Sequence, residues 1–113
     1  MTGANEAVPE VSPEAAVQKV AAGTPLIDVR EQSEWHVSHA PDAHLIPLGE
    51  LEARLSELPR DREILVICQS GARSERAVQF LRRSGFDAAT VPGGMLAWSA
   101  IGGEVDYSSQ DHS

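Results

Sequence analysis

The run EILVIC at positions 63–68 carries four consecutive apolar residues, three of them Ile or Val, ahead of a cysteine. A strand of this kind has no polar face to offer water, so it needs cover on both sides. Three further short apolar runs, PLIDV, AHLIP and AATVP, share its character, and PEV at positions 9–11 reads as a short first strand. Helical signals fall between them. Ser12 is placed to cap a helix, with Pro13 at its first position and Glu14 in its first turn; Ala16, Val17 and Val20 share one face, and Gly23 ends it. REQSEWHVSH fits a short helix or turn. Across residues 49–58, Leu51, Leu55 and Leu58 recur at helical spacing. Residues 74–84 place Ala77, Val78 and Leu81 on one side and meet Gly85 as a stop, and GGMLAWSAIGG is a glycine-opened helix that closes the core. Apolar strands alternating with amphipathic helices predict an α/β fold: a mostly parallel central sheet of about five strands with helices on both faces. The domain is expected over residues 9–105, between a flexible segment at 1–8 and a polar tail at 106–113.

The chain of 113 residues is long enough for one modest core, and its 42% apolar content fits a folded domain. No apolar run approaches the roughly 20 residues that span a bilayer. The start, MTGANEAVPE, has neither the basic nor the apolar region of a secretory signal. With 17 acidic and 9 basic side chains the net charge is −8, which argues against nucleic acid and against an anionic membrane surface. A single cysteine excludes an internal disulfide framework and a Cys-only zinc site, and the expected setting is a reducing cytoplasm. Arg73, Arg76, Arg82 and Arg83 cluster after that cysteine; the last three read equally well as an ordinary solvated helix face.

In parallel sheets, ligands gather beyond the carboxyl ends of the strands. Asp28 and Arg30 stand at the end of the PLIDV run and Cys68 follows EILVI, so the fold makes neighbours of Arg30 and Cys68, 38 positions apart. From Cys68 the strand ends, a tight turn uses Gly71, and a helix begins near Ser74. The backbone N–H groups of Gln69, Ser70, Gly71, Ala72 and Arg73 can then converge on one concavity at a helix N-terminus, a natural anion site. A thiol in such a place falls from a pKa of about 8.5 to about 3.5–7.5 and becomes a nucleophile without a dedicated base. A lone cysteine at a strand end is more often a small buried hydrophobe. The anion cradle that follows Cys68 is what a core residue has no use for.

The pieces PLIDVREQSEW, SHAPDAHLIPLGEL, ILVICQSGARS and VPGGMLAW, in this order and spacing, resemble single-domain rhodaneses, the thiosulfate and persulfide sulfurtransferases. The resemblance covers roughly residues 10–105. It implies a parallel sheet with helices on both sides and a Cys68 that carries a persulfide between two half-reactions. The thiolate attacks the outer sulfur of a donor such as thiosulfate and sulfite leaves; loop N–H groups hold the transferred sulfur; cyanide in an assay, or a thiol in the cell, removes it. No metal or organic cofactor is implied. The partners are a small-molecule sulfur donor and acceptor, with a sulfur-carrying protein as a further candidate.

Supporting roles are expected at several positions. Arg73 either steers an anionic donor or braces the loop through carbonyls. Asp28 and Arg30 brace the cysteine loop. Gly93 and Gly94 allow a tight turn at the pocket rim, and Met95 lines that rim. His39 matches a histidine of the family's pattern in a structural role, His36 and His44 show no metal-binding pattern, and Trp35 and Trp98 are core residues. Ser38, Ala40 and Asp42 depart from the residues usual in that pattern without threatening the turn. Gln69 stands where many members carry arginine, which removes a cation from the pocket mouth and favours a thiol persulfide or protein donor over thiosulfate.

Two alternatives remain. One is a rhodanese-like binding or regulatory module without useful turnover. The other is a cysteine-dependent phosphatase or arsenate reductase; these carry a Cys-to-Arg loop one residue longer, whereas Arg73 follows Cys68 by five positions and leaves room for a sulfur atom rather than a phosphoryl group. The same activated thiol would also oxidise readily as a redox sensor, with no second cysteine in the chain to resolve the product.

Overall fold

The EILVIC run forms the central strand of the molecule. A computed structural model describes residues 7–107. Its elements are α1 (Pro13–Ala21), β1 (Leu26–Asp28), α2 (Gln32–Val37), β2 (Ser38–His39), β3 (Ala43–Leu45), β4 (Ile64–Ile67), α3 (Ala72–Arg83), β5 (Ala88–Thr90), α4 (Gly94–Ala100) and β6 (Asp106–Tyr107), with two 3₁₀ turns, Leu48–Glu50 and Glu52–Glu57, ahead of β4. The main sheet has the order β3-β1-β4-β5 and every pairing in it is parallel. In register, Asp28 of β1 lies opposite Ile67 of β4, and Val66 of β4 opposite Thr90 of β5. Asp28, Cys68 and Thr90 therefore reach the same carboxyl edge.

All four residues of β4 are buried, and their alternation splits the core in two. Ile64, Val66 and Cys68 pack with Leu51, Leu58 and with Ala77, Val78 and Leu81 of α3. Leu65 and Ile67 pack on the opposite face with Ala16 and Val20 of α1 and Met95 and Trp98 of α4. Each fully buried Leu or Ile contributes about 1.5–3 kcal/mol, so both layers hold the strand in place. The α1 cap is as its sequence predicts: the Ala15 N–H donates to Ser12 Oγ at 3.2 Å, and the chain leaves the helix at Gly23 with φ 107°.

Three elements differ from expectation. The sheet has four full strands rather than five, because PEV contributes a single parallel bridge from Glu10 to Thr90. Proline supplies no donor at position 9, so the ladder is limited to Thr90 N–H to Pro9 O and Val11 N–H to Thr90 O, both 2.9 Å. Residues 49–58 form 3₁₀ turns, with N–H groups of Leu51, Arg54 and Leu58 bonding carbonyls three residues back. Arg54 leaves helical geometry at φ −118°, ψ 20° while its guanidinium pairs with Glu50 at 2.9 Å and Glu57 at 2.7 Å. Leucine spacing reports which side chains are buried, not which carbonyl accepts. Asp106 and Tyr107, placed by sequence in the polar tail, pair antiparallel with His39 and Ser38. In the expected N-terminal segment, Val8 packs against the α3-side core, while residues 1–6 lie outside the described residues, as do 108–113 of the tail.

Candidate active site

Beyond Ile67 the chain turns through Gln69, Ser70 and Gly71 into α3. Gly71 takes φ 118°, which a side chain would strain, and an added Cβ there would sit 3.4 Å from Gly93 N. The turn brings two amides onto the sulfur: Gly71 N–H donates to Cys68 Sγ at 3.1 Å and Ser74 N–H at 3.4 Å. The Ser74 hydroxyl lies 3.6 Å from Sγ, 3.0 Å from the Gly71 carbonyl and 2.6 Å from Thr90 Oγ1, so its one proton turns to Sγ when the thiolate forms, with the Thr90 hydroxyl free to donate to Ser74 Oγ. Cys68 is 1% exposed. Burial is the strongest single influence on the thiol and pushes it up; the Ser74 hydroxyl and the N–H groups of Ser74 and Gly71, with a lesser contribution from the Arg73 N–H, which is not hydrogen bonded to Sγ, together outweigh it and hold the pKa below its ordinary value. The sulfur is thus both a core atom and an acceptor of amide hydrogen bonds. Gln69, Ser70 and Ala72, expected in the same ring of donors, make no hydrogen bond to it among those of the described residues.

The N-terminus of α4 fixes the outer side of this loop. Met95 N–H donates to the Cys68 carbonyl at 2.7 Å and Leu96 N–H to the Gln69 carbonyl at 3.2 Å. So close an approach requires Gly94: a Cβ there would overlap the Cys68 carbonyl oxygen and come within 2.6 Å of Gln69 C and O. Gly93 and Gly94 both take positive φ, 78° and 56°. Met95 does not line a rim. Its side chain is 4% exposed and packs in the α1–α4 core beside Trp98, three residues on, where the helical period places both on one face. Its contribution to the loop is its N–H.

Arg30 braces the other end. It is 2% exposed and its guanidinium grips Asp28, which is 0% exposed, through Nε at 3.0 Å and Nη2 at 2.9 Å. Nη2 also donates to the Ser38 carbonyl at 2.7 Å, and Nη1 reaches Gln69 Oε1 at 3.2 Å. Among the described residues Arg73 binds no carbonyl, and about a third of its side chain, 33%, remains exposed. Both its Nη groups meet the carboxylate of Glu34 on α2, at 2.7 and 2.8 Å. That bidentate bond, first among several influences, lowers the Glu34 pKa to about 2. Beside the loop, Arg30, Glu34, Val37, Ser38 and Gln69 line a cavity of about 320 Å³. Among the described residues no three His, Cys, Asp or Glu side chains converge as metal ligands. His44 Nε2 pairs with Glu57 at 2.9 Å, and His39 stacks on Trp35 at 3.7 Å with Nδ1–H donating to its carbonyl.

A family model for the rhodanese-like domain matches residues 12–101. The chain belongs to the rhodanese-like family. The domain is 43% identical over 95 residues to YrkF of Bacillus subtilis, whose name proposes a sulfur carrier; the match covers 81% of this chain and 51% of YrkF, so the chain spans about half that relative's length. A protein of Allochromatium vinosum named a sulfurtransferase is 36% identical over 78 residues, covering 68% of this chain and 73% of the relative. Among solved structures, a rhodanese-related protein of Thermoplasma volcanium superposes with a TM-score of 0.81 at 31% identity, covering 87% of this chain and 97% of that one. The rhodanese-like sheet accounts for the proximity of Asp28, Arg30 and the cysteine loop. Two residues of the site were not foreseen. Glu34 is one of two acidic residues in REQSEW, with no local sign of a partner 39 positions away. Thr90 carried a usable signal: it is the one hydroxyl in the apolar run AATVP, at a strand end beside that of Cys68.

Proposed function

We propose that this rhodanese-like domain is a sulfurtransferase that moves a sulfane sulfur from a thiosulfate or persulfide donor to a thiophilic acceptor through a persulfide on Cys68. The observation that carries this reading is the sulfur of Cys68 held between the Gly71 and Ser74 amides, at 3.1 and 3.4 Å, in a loop that reaches Arg73 after five positions. The amides favour the thiolate, which is the nucleophile. In loading, Sγ bonds to the donor's outer sulfur and the donor's sulfur–sulfur bond breaks, its electron pair leaving on sulfite or on a thiolate. In unloading, an acceptor nucleophile, cyanide in an assay or a thiol in the cell, takes the outer sulfur and returns Cys68 as thiolate. The same amides stabilise the charge in both directions, and no cofactor enters the scheme.

The names of the relatives support the class of reaction, and YrkF's supports a sulfur-carrying protein as one partner. A reducing cytoplasm suits the cycle, since Cys68 must return to its thiolate after each turnover. The test is intact mass after incubation with thiosulfate and with a low-molecular-weight persulfide. A gain of one sulfur atom on the wild type, absent in Cys68→Ala, is the expected result; no adduct with any donor sinks the proposal. Hydrolysis of an aryl phosphate dependent on Cys68 would instead establish phosphatase chemistry.

A further inference from the structure

The charges beside the cysteine loop are held in ion pairs, one buried (Arg30–Asp28) and one about one-third exposed (Arg73–Glu34). Arg30, on the cavity wall, is gripped by Asp28 and also bound to the Ser38 carbonyl and Gln69 Oε1. Arg73 gives both Nη groups to Glu34, another wall residue. Glu31, exposed at the start of α2, adds a further negative charge near Arg73. Of these charged groups only Arg30 and Glu34 line the cavity; behind them Asp28 pairs with Arg30, Arg73 with Glu34, and Glu31 lies near Arg73. The remaining lining is Gln69, Ser38 and Val37, all uncharged, with Val37 66% exposed.

Thiolate attack on thiosulfate gathers three negative charges: one on sulfur and two on the donor. A site built for that donor needs a cation free to meet it, because focusing by unpaired charge is what raises the local concentration of an anionic substrate. An organic persulfide asks for less. Sγ bonds to the outer sulfur of R–S–SH, the donor's sulfur–sulfur bond breaks, the electron pair leaves as R–S⁻, and the outer sulfur keeps its proton on Cys68–S–SH. Total charge stays at one, and no oxidant or reductant is consumed.

We infer that Glu34 sets donor specificity: by closing Arg73 into an ion pair it cancels the charge a dianionic donor requires and turns the site toward organic persulfides of low charge. The inference rests on the sulfur-transfer reading and names the donor class for it. Glu34 acts here as a specificity residue through Arg73, at the mouth rather than at the reacting sulfur.

The experiment compares kcat/KM for Cys68 loading by thiosulfate with that by 2-hydroxyethyl persulfide, scored by intact mass. In wild type the thiosulfate-to-persulfide ratio is low and nearly flat with ionic strength. In Glu34→Gln, Arg73 is released and the ratio rises about tenfold at low salt, a gain that fades as salt screens the freed charge. A purely structural Glu34 would not produce that salt dependence. Gln69→Lys supplies an unpaired cation by another route with the Glu34–Arg73 pair in place, and the ratio rises there as well. This second variant decides the matter if Glu34→Gln loosens the loop and loses transfer from both donors. Ratios within about twofold of wild type in every variant that still loads Cys68, or a gain insensitive to salt, overturn the inference while leaving sulfur transfer intact. Failure of both donors to load wild-type Cys68 overturns the sulfur-transfer reading and this inference with it.

Discussion

Gly94 sits where two backbones meet, and an alanine there tests whether the cysteine loop is held by α4. The added methyl would overlap the Cys68 carbonyl and lie 2.6 Å from Gln69 C and O, which are main-chain atoms that no rotamer change can move. It would also occupy φ 56°, a left-handed conformation that costs a non-glycine residue roughly 1–2 kcal/mol. Overpacking in a close-packed region adds about 1–3 kcal/mol. A central value is about 3.5 kcal/mol, and at about 4 °C per kcal/mol for a domain of this size the melting temperature falls by about 14 °C. Relief requires α4 to withdraw, which lengthens the Met95 and Leu96 N–H bonds to the Cys68 and Gln69 carbonyls and disturbs the amides behind them. Gly94→Ala is therefore expected to raise the thiol pKa as well as lower stability, and thermal melts paired with iodoacetamide alkylation against pH read both. Gly49→Ala is the control, since a Cβ there meets nothing within 4 Å; its stability should stay within about 0.5 kcal/mol of wild type. A Gly94→Ala protein that melts with wild type and alkylates with the same pH profile would refute the close-approach argument.

Asp28→Asn leaves the Arg30 guanidinium, 2% exposed, without its counter-charge, and urea unfolding should show a loss of about 3–5 kcal/mol. Ser74→Ala keeps the N–H at 3.4 Å from Sγ but removes the hydroxyl at 3.6 Å, so alkylation should show a thiol pKa raised above wild type while remaining amide-stabilised. Glu34 has a folded pKa of about 2 against an ordinary value of 4.5, so the unfolded chain binds the extra proton between those values and stability rises with pH across that window. The contribution is complete above pH 4.5 and lost as pH falls toward 2; the stability difference between wild type and Glu34→Gln, from denaturant melts across the acid range, should shrink accordingly. A difference independent of pH would show that the ion pair does not form.

The features legible in the sequence are those written locally. EILVIC announced a doubly covered strand because four apolar residues in a row leave no polar face, and β4 is buried throughout. The Cys68–Gly71–Arg73 turn was readable because strand end, glycine and helix start are contiguous, and Gly71 does take a positive φ. Long-range pairing was not readable. Glu34 and Arg73 are on different helices, and nothing near either residue encodes the other. The pairing of Asp106 and Tyr107 with β2 left no trace either, since both residues are exposed and a two-residue edge shows no hydrophobic alternation. Met95 was legible but misread: its spacing of three from Trp98 already placed it on the inner face of α4. Four strands stand where about five were expected because a strand beginning at Pro9 can form only a fragment of a ladder.

The most direct test is the ionisation of Cys68 itself in the otherwise unmodified protein, which has no other thiol to confuse the signal. Thiolate absorbance or alkylation rate followed against pH should give a midpoint below the value of about 8.5 for an ordinary cysteine. A midpoint at or above that value would mean that burial outweighs the Gly71, Arg73 and Ser74 donors, and that the loop does not hold a sulfur anion.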